Sequence, residues 1–340
     1  MVIWLVMALS VTGVAGLGWL VHEVRTPYKG YQGSSVLVTI PPRSSTAVIL
    51  KTLEDCGALK DARLGLLVLK LLHRHRTLKA GEYRFAGPRS AEQVILTLIA
   101  GDVVTYRVTV PEGLTGAETF ALFSSQGFGE PDQFQTLFRR PDLFEGIPAG
   151  ALTLEGFLFP DTYTVTRTMS AREIVGMMTR QFARRLPRDF AKRAAALGLD
   201  ALKAVTLASI VEKETALEAE RPIVAAVYRN RLSRGMLLQC DPTTIYALKR
   251  MGTWTGTLTR TDLNVDDPYN TYLKPGLPPG PISSPGLSAL RAAVDGTQVP
   301  YLYFVATGIG DGSHRFSAAY EEQQRNVVLY RQERKEARSQ

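Results

Sequence analysis

The stretch ASIVEKETALEAERP, Ala208 to Pro222, carries glutamates at positions 212, 214, 218 and 220 in a helix-like segment. A glutamate can donate a proton and take it back near neutral pH when its surroundings raise the carboxyl pKa. In a helix from Ala201 to Thr215, the residues at i−3, i−4 and i−7 share a face with position i. For Glu214 these are Val211, Ile210 and Leu207; for Glu212 they are Ser209, Ala208 and Val205. Glu214 is therefore expected at an apolar margin, where desolvation keeps it protonated as an acid, and Glu212 in better contact with water. A surface helix simply wetted by these side chains is the competing reading of the same spacing.

Other chemistries find little support. His73 and His75 sit among arginines, His22 borders an apolar run and His314 stands alone in GDGSHRFS, with no HExxH pattern. Cys56 and Cys240 form no framework and no metal-binding pattern, so no metal or cofactor is expected. There is no phosphate-binding GxxxxGK[ST], no GxGxxG after a strand and no GxSxG elbow. The formal charge of +8 favours anionic partners. Its basic residues are scattered without an aromatic-interleaved stripe, which argues against nucleic acid.

The elements that must hold these carboxylates are legible from periodicity. Residues 1–22 read as a transmembrane helix: the first 21 carry no charge, and a helix of that length crosses a hydrocarbon layer of roughly 30 Å. Arg25 and Lys29 follow the span, so charge does not fix its orientation. Residues 23–35 read as a tether. From Val36 the pattern is β-α-α-β, then a helix at SAEQVILTLIAG and a strand at VVTYRVTVPEG. From Leu114 to about Leu248 the chain is helix-rich, interrupted by LEGFLFPDTYTV. The stretch DDPYNTYLKPGLPPGPISSPG, Asp266 to Gly286, forbids a continuous helix through its prolines, and its aromatics suggest a binding loop. YLYFVA reads as a buried strand, and a closing helix ends in a charged tail, residues 332–340. The fold class is α+β.

At this point the residues carry a resemblance. LASIVEKET…ERPIVAAVYRNRLSRGMLLQCDPTTIYAL, YNTYLKPGLPPGPISSPG and YLYFVATGIGDGSHRFS, with LEGFLFPDTY and LKAGEYRF upstream, resemble the MltG (YceG-like) endolytic murein transglycosylases of bacteria. The resemblance implies an enzyme held in the inner membrane by one N-terminal span, its body in the periplasm, cutting nascent peptidoglycan glycan strands internally. It also implies a LysM-like subdomain over residues 36–102 and a catalytic domain over residues 103–331. Association with cell-wall synthases is a further implication.

The family's catalytic glutamate is the second of EKE, which falls on Glu214. Cys240 departs from the family pattern, which has Thr in an LQTDPT motif, while Gln239, Asp241 and Thr243 are retained. The resemblance implies that Glu214 protonates the oxygen between N-acetylmuramic acid and N-acetylglucosamine, then takes the proton from the muramyl C6 hydroxyl, leaving a 1,6-anhydro end. Gln239, Asp241, Tyr269 and Asn270 are expected to stabilise the oxocarbenium-like transition state, and Tyr272 and Phe159 to stack on sugars, with Glu212 near the substrate. A glycan-binding scaffold without catalysis and a hydrolytic muramidase are the alternatives.

Overall fold

The computed structural model describes residues 14–15, 18–73 and 75–337. Most of the apolar run read as a membrane anchor lies outside them. Among the described residues, no single helix is long and apolar enough to cross a membrane. The chain divides into two compact units, Met1–Arg107 with Thr164–Met169, and Val108–Tyr163 with Ser170–Gln340.

In the first unit, β1 (Ser35–Ile40) is followed by helices α1 (Thr46–Asp55) and α2 (Ala62–Leu72), strand β2 (Gly81–Ala86) and helix α3 (Ala91–Ala100). β1 and β2 pair antiparallel with Val38 opposite Tyr83 and Val36 opposite Phe85. The period of two puts Val38, Ile40, Tyr83 and Phe85 on one buried face, against Leu50, Leu53, Val68, Ile95 and Leu98 from the helices. The helix starts follow from local chemistry: Ser45 and Asp61 cap α1 and α2, and Ser90 with Gln93 forms a capping box on α3. The segment read as a tether is partly packed. Tyr28 exchanges backbone bonds of 2.9 and 3.0 Å with Arg89, and the Tyr31 hydroxyl donates to the Gly87 carbonyl at 2.9 Å.

The chain passes between the units in β3 (Tyr106–Thr109) and β4 (Thr162–Val165). The second unit is helix-rich: α4 (Gly116–Ser125), α5 (Pro131–Phe138), α6 (Ala171–Arg185), α7 (Phe190–Ala196), α8 (Ala201–Glu214), α9 (Arg221–Ser233), α10 (Asp241–Met251) and α11 (Leu287–Ala293). A hairpin of β5 (Tyr303–Ala306) and β6 (His314–Ser317) and a closing helix α12 (Tyr320–Ala337) complete it. β5, expected to be buried, is half-buried along its length.

At the centre lies α8, capped by the Asp200 side chain on the Lys203 N–H at 2.7 Å. Every residue from Ala204 to Val211 is buried, so this helix has no wet face in that stretch. It packs in one core with Phe157, Phe182, Val224, Tyr228, Leu238 and Leu290. The proline-rich segment 266–286 belongs to the same core. Ser209 ties it to α8 by accepting the Ile282 N–H at 3.0 Å, and its carbonyl accepts the Ser283 hydroxyl at 3.2 Å. That segment, read from its aromatics as a binding loop, is a buried brace over much of its length.

Candidate active site

The last turn of α8 presents both glutamates, and the structure separates them by their partners. Glu214 is half-buried. Its Oε1 accepts the Tyr228 hydroxyl from α9 at 2.6 Å and the Cys240 thiol at 2.9 Å. Its Oε2 accepts no hydrogen bond among the described residues and is not sealed from solvent. Burial raises the Glu214 pKa, opposed by the Cys240 and Tyr228 hydrogen bonds, with the Asp241 charge adding to the rise and His314 opposing it. Position at a helix C-terminus works in the same direction as burial, because the peptide dipoles there disfavour an anion.

Glu212 was expected to be better solvated, and the structure corrects this. Its side chain is 6% exposed. Oε1 accepts from Nη2 of the buried Arg221 at 3.0 Å, and Oε2 accepts the Gly286 N–H at 3.0 Å. The physical reason is the brace. Ser209 and Ala208 mark a small, polar face, but segment 266–286 covers that face in place of water. Burial also lifts the Glu212 pKa, outweighing Gly286 and Arg221. Protonation therefore does not distinguish the two carboxyls; a free oxygen does, and Glu214 has it.

Around Glu214 the expected residues sort into two groups. Asp241, exposed at the first turn of α10, accepts the hydroxyl of the half-buried Tyr272 at 2.5 Å. Gln239 is exposed with φ at 50°, a left-handed conformation unusual outside glycine, held by its N–H to the Thr271 carbonyl at 3.1 Å. Asp241 and Tyr272 lie within electrostatic reach of the Glu214 carboxyl. Cys240 is buried and is tied into the same turn by its N–H to Thr271 Oγ1 at 3.0 Å. Burial and the neighbouring Glu214 push its thiol pKa well up, so it acts as a neutral donor.

The remaining candidates, Thr243, Asn270, Tyr269 and Phe159, are buried within the protein. Thr243 is fully buried, its hydroxyl bonded to the Cys240 carbonyl at 2.7 Å and to Thr271 Oγ1 at 2.8 Å. Asn270 is fully buried with its amide saturated. It donates to the carbonyls of Leu263 and Val265 at 3.0 and 2.8 Å, and accepts from Thr244 and the Tyr272 N–H at 3.0 and 3.1 Å. Tyr269 is buried against Tyr246, ring centroids 4.8 Å apart, and burial pushes its pKa up to about 12. Phe159 is a core residue and offers no ring face to a sugar. Aromatic and amide side chains in a proline-rich loop serve either role; only the packing separates them.

Several residues of the site gave no signal of their own in the sequence. Tyr228 and Arg221 lie on α9, inside an ordinary helical pattern. Glu155 immediately precedes Gly156, whose φ of 85° turns the chain against Pro281. It is buried, accepts from the Gly116 N–H at 2.9 Å and the Tyr246 hydroxyl at 3.1 Å, and has its pKa raised to about 7 by burial. His314 is bonded to Glu220, two turns of chain beyond Glu214.

A family model described as the YceG-like family matches residues 38–328. An endolytic murein transglycosylase of Streptococcus pneumoniae (serotype 2, strain D39) is 29% identical over 348 residues, covering 94% of this chain and 62% of that protein. One from Bacillus subtilis strain 168 is 36% identical over 162 residues, covering 46% of this chain and 43% of that protein. The crystal structure of a YceG-like protein from Listeria monocytogenes superposes with a TM-score of 0.55 at 29% identity, covering 86% of this chain and 99% of that one. The chain thus spans less than two thirds of the length of these two transglycosylases.

Proposed function

Because the chain belongs to the YceG-like family, we propose that it is an endolytic peptidoglycan lytic transglycosylase whose single acid–base residue is Glu214. The carrying observation is the Glu214 carboxyl itself: one oxygen is held by two neutral donors, while the other is free to reach a glycosidic oxygen. Burial and the helix C-terminus both raise its pKa, the direction that an acid working near neutral pH requires.

The acid proton passes to the oxygen linking N-acetylmuramic acid to N-acetylglucosamine, the C1–O4 bond breaks, and positive charge develops at C1. Asp241, with Tyr272 holding it, supplies negative potential on the open side of the site. The Glu214 carboxylate, stabilised by Tyr228 and Cys240, then takes the proton of the muramyl C6 hydroxyl as O6 bonds to C1. The products are a 1,6-anhydro muramyl end and a strand with a free 4-hydroxyl; no water is consumed, and Glu214 ends protonated.

A hydrolytic muramidase is the second reading, favoured by one observation. Asp241 is an exposed second carboxylate whose charge is felt at Glu214, and a pair of carboxyls is what activation of water requires. Mass spectrometry of purified glycan strands digested by the protein decides between them. Anhydro ends support transglycosylation, reducing ends support hydrolysis, and intact strands that still bind the protein support a scaffold.

The rest of the reading follows the family and the apolar N-terminus. Met1–Val21 anchors the protein in the inner membrane as one span, supported by an uncharged run of that length. The body lies in the periplasm, the first unit binds glycan in the manner of a LysM domain, and cell-wall synthases are partners. Recovery of the intact chain in the soluble fraction would count against the anchor.

A further inference from the structure

The second unit holds a carboxylate–imidazole pair that the reaction above does not use. Glu220 Oε1 accepts the backbone N–H of His314 at 2.8 Å, and Oε2 accepts the ring Nδ1–H at 2.6 Å. Both side chains are nearly buried, 11% and 13% exposed. A carboxylate only accepts, so the proton of neutral His314 sits on Nδ1 and Nε2 carries the lone pair. Among the described residues Nε2 has no partner, and it is not among the polar atoms sealed from solvent. A ring oriented this closely, with its second nitrogen left open, is built to meet something from outside the protein.

Two short routes place the pair beside Glu214. Thr215, the residue after Glu214, donates its hydroxyl to Glu220 Oε2 at 3.3 Å. On the other side, the His314 ring stands edge-on to Phe304 with centroids 5.5 Å apart, and Phe304 edge-on to Tyr228 at 5.9 Å. Tyr228 is the residue whose hydroxyl binds the Glu214 carboxyl.

We infer that His314, oriented by Glu220, is a substrate-positioning residue of the Glu214 site, its Nε2 accepting a hydrogen bond from the acetamido N–H of an N-acetylhexosamine unit beside the scissile bond. This rests on the activity proposed above for the identity of the sugar. Glu220 is the residue that sets the sense of the contact. Glu220→Gln must turn its amide oxygen to the His314 backbone N–H, which cannot change, and so its NH₂ faces Nδ1. The imidazole then takes the other tautomer, and Nε2 becomes a donor that a sugar N–H cannot approach.

The test is binding of peptide-free glycan strands to a Glu214→Gln protein, which holds the strand without cutting it. Adding His314→Ala is expected to weaken binding about tenfold, the usual worth of one hydrogen bond to a ligand. Glu220→Gln is expected to weaken it comparably while thermal melting is held and the ¹⁵N shifts of His314 report the exchanged tautomer. His314→Gln, which keeps an acceptor, should recover part of the loss. Binding within twofold of the parent for both His314→Ala and Glu220→Gln overturns the inference. Should His314→Ala fail to fold, Glu220→Gln alone decides it. Failure of wild-type protein to cut glycan overturns the proposed activity instead and leaves the binding comparison standing.

Discussion

Glu212 and Glu214 lie two residues apart on one helical turn, share a raised pKa and differ in almost everything else. Glu212 meets a buried guanidinium and a backbone N–H, and both its oxygens are occupied. Glu214 meets a phenol and a thiol, both on one oxygen. Arg221 binds only a carboxylate well, whereas Tyr228 and Cys240 donate to either protonation state of Glu214. The first environment stores a charge to fix the helix end against Gly286 and Arg221; the second leaves the proton free to come and go. Distance from an apolar face does not separate the two residues, since α8 is buried on every side from Ala204 to Val211.

The sharpest way to break this comparison is to exchange each carboxyl for its amide. Glu214→Gln should lower anhydro-end formation on the order of 10²–10⁴-fold, the usual cost of removing an acid–base group. Glu212→Gln should leave turnover per folded molecule much closer to wild type and lower the melting temperature instead, because an amide pairs poorly with Arg221. Reversed results, read by mass spectrometry and melting together, would exchange the two roles.

A second variant probes the stored charge alone. Arg221→Met leaves Glu212 buried without its cation and is expected to destabilise the unit by about 3–5 kcal/mol, as breaking one side of a buried pair does. Arg221→Met with Glu212→Leu should recover much of that loss. Denaturant unfolding of the single and double variants gives the coupling; additive losses would show that the pair does not hold the helix end.

On the Glu214 side the support is neutral, and Asn270 is its clearest member. Asn270→Ala deletes an amide that satisfies Leu263, Val265, Thr244 and Tyr272. It should cost about 2–3 kcal/mol of stability, the range for stranded buried polar groups. Activity per folded molecule should fall less. A melt within a degree or two of wild type, together with lost turnover, would return Asn270 to the substrate.

The smallest expected effects are in the pH dependence. A buried acid with a raised pKa keeps its proton in the folded state where the unfolded chain has lost it. Stability therefore falls as pH rises above the ordinary value of 4.5, towards the folded-state pKa. Glu214→Gln should flatten that fall, and so should Glu155→Gln, for which the window runs from 4.5 to about 7. Cys240→Ala removes a bond that favours the Glu214 carboxylate, so the alkaline limb of the activity profile should move to higher pH. A shift to lower pH would contradict the donor role of the thiol.

By itself the sequence determined the α+β class, the β-α-α-β order of the first unit and the start of its helices. Those features rest on local periodicity and capping, which nearest neighbours along the chain decide. It also pointed to Glu214, though the reason it offered, an aliphatic face, is not what sets that residue apart. The tertiary structure alone decided that segment 266–286 is a brace, that Glu212, Thr243, Asn270, Tyr269 and Phe159 lie inside, and that Tyr228 and Cys240 meet on one oxygen of Glu214. Whether a polar side chain meets water or a partner depends on what packs across from it. Here such partners come from as far as 131 positions away along the chain, as the Lys249 bond to the Glu118 carboxylate illustrates. Separations of that kind leave no period for a sequence to display.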